Sequence, residues 1–232
     1  MENEFFIPAY AEKLYGKPEG FFNGTKVMAI GNSHYCTEGF DEKTRCGEYC
    51  PNYMIPGKCG NVNASKGRQN CFTQDVMEEY VAYKSGLIKC ADWMRTFTSF
   101  AHMFSETCDV IKVWESLCFY NFLQVAVGNN NAQGTPEEID EAKKHVLAAI
   151  ELHMPDVIVV WGYDNVFVHL LDVFKSLPTN IRWAIDPENE RCGILTMNEK
   201  PMKVVCINHP SRAGHEEARN LIKHIAPELI TN

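Results

Sequence analysis

The chain has 232 residues, 45% of them hydrophobic and 22% charged, which provides enough apolar material for a core and excludes an intrinsically disordered protein. Its 30 acidic and 22 basic residues give a net charge of -8, which excludes a protein that coats nucleic acid through bulk charge but allows a local basic groove. The apolar runs are no longer than strands, so we expect no membrane span. The acidic first residues are not followed by the apolar h-region of a signal peptide, so we expect no secretory signal and a cytoplasmic location.

The first half of the chain predicts a strand, a long polar segment, two helices and a second strand. The run at 26–31 (K-V-M-A-I-G) is apolar enough for a buried strand. No periodicity persists from 32 to 70, where Gly, Pro, Asn and Cys dominate. The later elements of this half are helices over about 73–85 and 91–106 and an aromatic strand over 115–124.

The second half begins with the clearest helix signal in the chain. Thr135 is a good N-cap, Pro136 suits the first helical position, and Glu138 completes a capping box. The elements predicted after this helix are strands at 157–161 and 181–185, helices at about 164–177 and 215–225, and a hairpin of 193–197 with 202–207 around a turn at 198–201.

The alternation of strands with helices predicts an α/β fold, and the continuously apolar strands favour a three-layer α/β/α sandwich with a mostly parallel central sheet. No repeat, low-complexity tract or linker divides the sequence, so residues 1–232 are predicted to form a single domain with a cysteine-rich loop at about 36–71. Sites in such sheets lie at the carboxyl ends of strands. Three of these ends are unusually polar here, at 31–36, at Asn121 and at 208–212.

Four runs of sequence lie at the ends of predicted strands. They are V-M-A-I-G-N-S-H-Y-C (27–36), F-Y-N-F-L-Q (119–124), D-V-I-V-V-W-G (156–162) and V-V-C-I-N-H-P-S-R-A-G (204–214). Their content and order resemble the motifs of the uracil-DNA glycosylase superfamily, in the manner of a divergent branch. The resemblance extends from about residue 26 to 219, and it implies the superfamily's fold.

The resemblance also implies an activity of the base-excision-repair type. The protein would be a DNA glycosylase, a hydrolase that cleaves the N-glycosidic bond of uracil or another deaminated or damaged base. That reaction needs a donor at the departing base oxygen, a group that positions water, and a pocket for the flipped base. His209 is the expected donor, and the Asn121 amide offers a donor and an acceptor that match the imide edge of uracil. No cofactor is required for this chemistry.

Further contacts are implied by the same resemblance. Gly31 opens the first motif, and Tyr35 would form a pocket wall against a 5-methyl group. Phe72 would lie under the base. Ser211 and Arg212 would hold a phosphate of the DNA.

The first motif departs from the superfamily where water is activated. Ser33 stands in the place of a carboxylate or amide, Asn32 precedes it, and His34 replaces the usual Pro. A serine hydroxyl orients water but is a poor base, so Asn32 or His34 is an alternative for this role. Ser33, like Asn121 and His209, also has a purely structural interpretation as a residue of a turn or strand end.

Five of the ten cysteines lie in the loop at 36–71 and predict a metal site. Cys46 and Cys50 have the spacing of two ligands of one zinc ion, and Cys59 is a third candidate. The fourth ligand could be Cys36, Cys71 or His34. An iron–sulfur cluster is the alternative metal group, and small unligated core residues are the alternative without metal. The other five cysteines are predicted in the core: Cys90, Cys108, Cys118, Cys192 and Cys206.

Two functions of different classes therefore stay open. The first is the glycosylase. The second is a metal-organised module on the same fold that binds nucleic acid or a nucleotide without cleaving it. The segment 41–70 holds five Lys or Arg residues against three acids, which favours a nucleic-acid partner in both cases. A third interpretation is an α/β domain whose polar strand ends are only turns.

Overall fold

The computed structural model describes residues 9–35, 72–124, 126–127, 134–212 and 214–230. In chain order the elements are β1 (Tyr10–Ala11), β2 (Val27–Gly31), β3 (His34–Tyr35), α1 (Phe72–Lys84), α2 (Met94–His102), α3 (Val110–Glu115), β4 (Leu117–Asn121), β5 (Ala126–Val127), α4 (Pro136–His153), β6 (Val157–Trp161), α5 (Val168–Lys175), β7 (Ile181–Ile185), β8 (Cys192–Met197), β9 (Lys200–Ile207) and α6 (His215–Ile225). A π-helical turn at Tyr163–Phe167 leads into α5, and a 3-10 turn at Pro227–Leu229 follows α6.

Seven of the strands form one sheet in the order β1-β4-β2-β6-β9-β8-β7. The four strands β4, β2, β6 and β9 are parallel neighbours, whereas β1, β8 and β7 pair antiparallel at the two sides. The predicted α/β class is therefore confirmed. The predicted parallel order holds for the centre of the sheet, and the sheet as a whole is mixed.

Helices cover both faces of the sheet, because the side chains of each strand alternate between two hydrophobic cores. One core lies under α1, α2, α3 and α6, and the other lies under α4 and α5. The first core is rich in aromatic rings. Phe97 stacks on Trp114 with ring centroids 4.4 Å apart, and Trp161, at the end of β6, lies 4.7 Å from Phe100.

Local sequence signals account for several boundaries. The capping box of α4 is present, with the Thr135 hydroxyl accepting from the Glu138 N–H and the Glu138 carboxylate accepting from the Thr135 N–H. The β8–β9 hairpin turns through Asn198 and Glu199, both with positive φ. The predicted turn at 198–201 was therefore too long, because β9 already begins at Lys200.

Other elements were not predicted from the sequence, or were predicted with different bounds. Helix α3 was not predicted, because it has only six residues and four of them are β-branched or aromatic. It exists because the Asp109 side chain accepts hydrogen bonds from the N–H groups of Ile111 and Lys112. The strand predicted at 115–124 is shorter and spans β4 alone. Strands β1, β3 and β5 have two residues each, too few for any periodicity.

The cysteine predictions have a mixed outcome. Cys118, Cys192 and Cys206 are buried as predicted, and Cys108 is half-buried. The prediction was wrong for Cys90, which is exposed because it lies in the connection between α1 and α2. The cysteine-rich segment at 36–71 lies outside the described residues. Within the described ranges, no helix is both long enough and apolar enough to cross a membrane.

Candidate functional site

Strand order determines where a site can form. The chain passes from β2 to β4 on one side and then returns past β2 to β6 on the other. The switch point of the sheet therefore lies between β2 and β6, and in open α/β sheets ligands bind in the crevice at the carboxyl ends of such strands. The polar sequences after β2, β4 and β9 all lie along this edge, as the sequence predicted.

Buried polar side chains are concentrated at this edge. Among the described residues, eight polar or charged side chains are buried, and only Ser105 and Ser116 lie elsewhere. The other six end or follow β2 or β4 or lie in the first turn of α1: Ser33, His34, Thr73, Asp75, Asn121 and Gln124. Burying a polar group costs free energy unless it is hydrogen-bonded, so this concentration makes the edge the candidate site.

The Asn121 amide lies over the end of β2. Gly31 and Asn121 are register partners, and Asn121 is only 5% exposed. A Cβ atom on Gly31 would collide with the Asn121 Oδ1 atom and would lie 3.3 Å from the Phe119 ring. The missing side chain at Gly31 therefore makes the space that the amide occupies. Because side chains alternate along β4, Asn121 and Phe119 point to the same face of the sheet.

Gln124 supports this arrangement and was not singled out by the sequence analysis. Its Nε2 atom donates to the Tyr120 hydroxyl at 2.7 Å and to the Asn121 carbonyl at 3.1 Å. Burial raises the pKa of Tyr120, so its hydroxyl stays protonated. The only sequence signal for this role was a Gln three residues after a strand-end Asn, which many loops share.

Ser33 lies between β2 and β3 and is 7% exposed. Its Oγ atom is buried and has no hydrogen-bond partner among the described residues. An unsatisfied buried hydroxyl is unusual and indicates a place for a water molecule or a ligand atom. Asn32, next to it, is half-buried, and its carbonyl accepts from the Leu123 N–H at 2.8 Å.

His34 is held at the start of α1. Its ring is 3% exposed, and Nε2 lies 3.1 Å from the Thr73 hydroxyl oxygen. Burial lowers the pKa of His34 to about 3, so the ring is neutral at physiological pH. A buried neutral ring that already bonds Thr73 is suited to positioning the strand end rather than to accepting a proton. Asp75, one turn into α1, is the only buried carboxylate among the described residues.

His209 has a defined tautomer. The Ser211 N–H donates to Nδ1 at 3.3 Å, and the Ser211 hydroxyl lies 2.8 Å from the same atom. A backbone N–H can only donate, so Nδ1 is the acceptor and the proton of the neutral ring is on Nε2. Burial, together with the charge of Arg212, lowers the pKa of His209. The ring therefore presents a neutral N–H donor.

The Trp161 ring packs against the His209 ring. The two rings meet edge to face with centroids 6.1 Å apart. Trp161 is buried, and its Nε1 atom has no hydrogen-bond partner in the described part of the chain. This tryptophan was predicted only as the last residue of an apolar strand, and its position beside His209 was not predicted. A tryptophan at the carboxyl end of a central strand was the available signal.

The remaining predicted site residues are exposed or lie outside the described side chains. Ser211 and Arg212 are exposed, at the outer side of the His209 turn. Tyr35 and Phe72 belong to β3 and α1, but their side chains lie outside the described structure. The predicted metal ligands Cys36, Cys46, Cys50, Cys59 and Cys71 also lie outside it. In the ranges that are described, no group of three or more His, Cys, Asp or Glu side chains could hold a metal ion.

Comparison with models of protein families and with curated proteins gave no match.

Proposed function

We propose that the protein is an N-glycosylase that hydrolyses the glycosidic bond of uracil or another deaminated or damaged base in DNA, on a uracil-DNA glycosylase-like fold. The observation that supports this proposal most is the presence of two hydrogen-bond donors along the same sheet edge. A buried amide, Asn121, lies at the end of β4, and a neutral Nε2–H donor, His209, follows β9. The resemblance of the four sequence motifs supplies the reaction class.

Asn121 would read the base. A uracil-type base presents an N–H donor between two carbonyl acceptors, and one carboxamide can satisfy the N–H and one carbonyl together. Burial makes this recognition selective, because a base with the wrong edge leaves a desolvated amide unpaired. Gly31 contributes by leaving the amide its space at the end of β2.

His209 would stabilise the leaving base. As the glycosidic bond breaks, negative charge develops on the base, and a donor fixed beside its oxygen stabilises that charge more than the neutral substrate. A neutral imidazole can fill this role, because its Nε2–H donates a hydrogen bond without the ring carrying a charge. The hydrogen bonds from Ser211 to Nδ1 keep the Nε2–H directed away from the turn.

Ser33 would position the attacking water. Its buried hydroxyl, which lacks a described partner, has free hydrogen-bonding capacity. A hydroxyl cannot remove a proton at neutral pH, so the glycosidic bond would break first, giving a sugar cation and an anionic base. Water would then add to the sugar cation, and the proton it loses would pass to the departed base. The poor basicity of this hydroxyl also favours the second candidate, a module that binds a nucleobase or nucleotide without cleaving it.

The test is an excision assay. Single- and double-stranded oligonucleotides carrying one uracil, hypoxanthine or xanthine are incubated with the protein, and abasic sites are detected by alkaline strand cleavage. We expect excision of at least one base, and a loss of about 100-fold or more in His209→Ala and Asn121→Ala, the range seen when one preorganised donor is removed. His215→Ala and Asn220→Ala, at exposed positions of α6, are the matched controls.

The outcomes separate the two functions. Excision that the two site variants abolish and the controls retain supports the glycosylase. Binding of base-containing oligonucleotides without abasic sites supports the binding module. If the protein neither excises a base nor binds the oligonucleotides, both functions are rejected.

The cysteine-rich segment is proposed to hold a structural zinc ion, on the spacing of its cysteines alone. Metal analysis of protein purified without chelator should give about one zinc per chain. Substoichiometric zinc and iron together would reject the proposal.

A further inference from the structure

Three side chains for which the sequence predicted no role form a closed ring of hydrogen bonds beside His209. The Arg191 Nη1 atom donates to the Asn208 Oδ1 atom at 3.2 Å and lies 3.2 Å from the Glu217 Oε1 atom. The Asn208 Nδ2 atom donates to the Glu217 Oε2 atom at 3.0 Å. We call these three residues the Asn208 clamp.

The clamp joins three elements at the site edge. Arg191 immediately precedes β8, Asn208 immediately follows β9, and Glu217 lies in the first turn of α6. The Arg191 guanidinium also lies over the Tyr163 ring, 5.5 Å from its centroid, in the turn that follows β6. Asn208, the residue before His209, is thus hydrogen-bonded to the residue before β8 and to α6, and through Arg191 it is linked to the turn after β6.

The ring closure distinguishes the clamp from an ordinary surface ion pair. The Glu217 side chain is 56% exposed and that of Arg191 is 29% exposed, so their attraction alone would contribute little. Asn208 uses its acceptor toward the arginine and its donor toward the glutamate, so only one orientation of the amide satisfies both. The side chain of Asn208 is therefore fixed in direction, not merely attracted.

A fixed Asn208 limits the freedom of the next residue. Ile207 is already anchored, because its carbonyl accepts from the Gly162 N–H at 2.8 Å. On the other side of His209, the Arg212 N–H donates to the His209 carbonyl at 2.8 Å. Between these two backbone hydrogen bonds, the clamp restricts the position of Asn208 and so of the backbone that carries His209.

We propose that Arg191 and Glu217 are positioning residues that act through Asn208 to hold His209 in its donor orientation. The catalytic consequence rests on the proposed glycosylase function, whereas the effect on His209 does not. Two readouts separate these statements. The first is the tautomer of His209 from nitrogen NMR of its imidazole in the free protein, and the second is the split between kcat and KM.

The variants follow from the geometry. Arg191→Gln and Glu217→Gln each remove a charge and open the ring of hydrogen bonds, which frees His209 to move away from the Ser211 N–H that fixes its tautomer. We therefore expect the imidazole to change from the Nε2–H form to a mixture of tautomers. Because the single Nη1 atom makes both contacts of Arg191, Arg191→Lys should retain most of the wild-type signal. Glu106→Gln is the matched control, since Glu106 pairs at 3.0 Å with a different arginine, Arg219 of α6, which takes no part in the clamp.

Activity on the best oligonucleotide supplies the second readout. A small displacement of a catalytic group lowers the chemical step more than binding, so we expect kcat to fall about 10-fold in Arg191→Gln with KM nearly unchanged. Arg191→Lys should recover most of this loss.

The outcomes are distinct. An unchanged His209 tautomer in both Arg191→Gln and Glu217→Gln overturns the proposal, even if the midpoint of thermal unfolding falls. A tautomer change in those variants but not in Glu106→Gln supports it. If that change occurs in a protein that excises no base, the positioning role stands and the glycosylase function fails.

Discussion

At the amino ends of β2, β6 and β9 the ionic side chains are half-exposed and paired, whereas at the carboxyl ends of β2 and β4 the polar side chains are buried. The amino-end contacts centre on Asp156, just before β6. Its carboxylate accepts from the Lys26 N–H at 2.8 Å and from the Lys200 ammonium at 2.7 Å. The Lys200 ammonium also donates to the Met154 carbonyl at 2.6 Å. These contacts tie β2, β6 and β9 together where each begins.

The carboxyl ends show the opposite pattern. The Ser33 hydroxyl and the Trp161 indole N–H are buried without a partner in the described ranges, and His34 and His209 are neutral because burial lowers their pKa values. Near the amino ends, the His153 Nε2 atom is the single described side-chain atom that is likewise buried without a hydrogen-bond partner. Paired, solvated charges therefore stabilise the fold at one edge, whereas a concentration of desolvated polar groups at the other provides capacity for a ligand.

The largest effect is expected from a change that fills the carboxyl end. In Gly31→Ala the new Cβ atom collides with the Asn121 amide, so the amide must leave the position in which it would read a base. We expect kcat/KM for excision to fall about 100-fold, which corresponds to about 2.7 kcal/mol. The measurement is the excision assay on the preferred oligonucleotide.

Gly214→Ala is the control for that change, because a Cβ atom there would meet no atom within 4 Å. It should retain activity. Circular dichroism at the assay temperature verifies that both variants are folded. Full activity in a folded Gly31→Ala protein would contradict the role given to the Asn121 amide.

A smaller effect is expected from pH, through His34. In the unfolded chain a histidine takes up a proton as the pH falls through about 6.5, but the buried ring does so only near pH 3. Protonation therefore favours the unfolded chain, so stability present above the unfolded pKa is lost as the pH falls toward the folded one. The loss at pH 5 relative to pH 7 should be about 2 kcal/mol.

Urea unfolding at the two pH values measures this difference. His34→Gln removes the titrating group, so its free energy of unfolding should depend less on pH by that amount. Thr73→Val removes the partner of His34 but keeps the imidazole, and it should keep the pH dependence. An equal dependence in wild type and His34→Gln would show that the ring is not buried as described.

The smallest effect is expected at the amino ends. Asp156→Ala removes the acceptor of the Lys26 N–H and the partner of Lys200, and it should lower the free energy of unfolding by about 1 kcal/mol at pH 7. Burial raises the pKa of Asp156, but the hydrogen bonds from Lys200 and Lys26 outweigh it and leave the pKa below its ordinary value. The contribution is therefore present at neutral pH and is lost as the pH falls through that depressed value.

This change should leave excision unaffected, which makes it the counterpart of Gly31→Ala. Asp156→Asn keeps an acceptor for Lys26 and should lose less stability than Asp156→Ala. A strong loss of activity in either variant would contradict the separation of the two strand ends.

Sequence patterns predicted those parts of the fold that depend on neighbours in the chain. The strands at β2 and β6 and the helices α4 and α6 were predicted because apolar runs, helical spacing and caps are local signals. Helix α3 was missed because its only strong signal is the Asp109 cap. In the candidate site, Asn121, Ser33 and His209 were predicted from polar residues at strand ends. The roles of Trp161 and the Asn208 clamp were not, since they follow from contacts between separate elements. The role of Gln124 was missed although its contacts, with Tyr120 and Asn121, are local, because a Gln after a strand-end Asn is a common loop sequence.

The sequence by itself determined that this is an α/β protein whose apolar strands end in polar motifs, because periodicity and strand-end composition are carried by consecutive residues. The position of β2 between β4 and β6, which places Gly31 beside Asn121 and Trp161 one strand further along, follows only from the three-dimensional packing. The same is true of the meeting of Arg191 and Glu217 at Asn208. Backbone hydrogen bonds pair apolar strands in any order with similar strength, so the order is set by how all the helices and strands pack together.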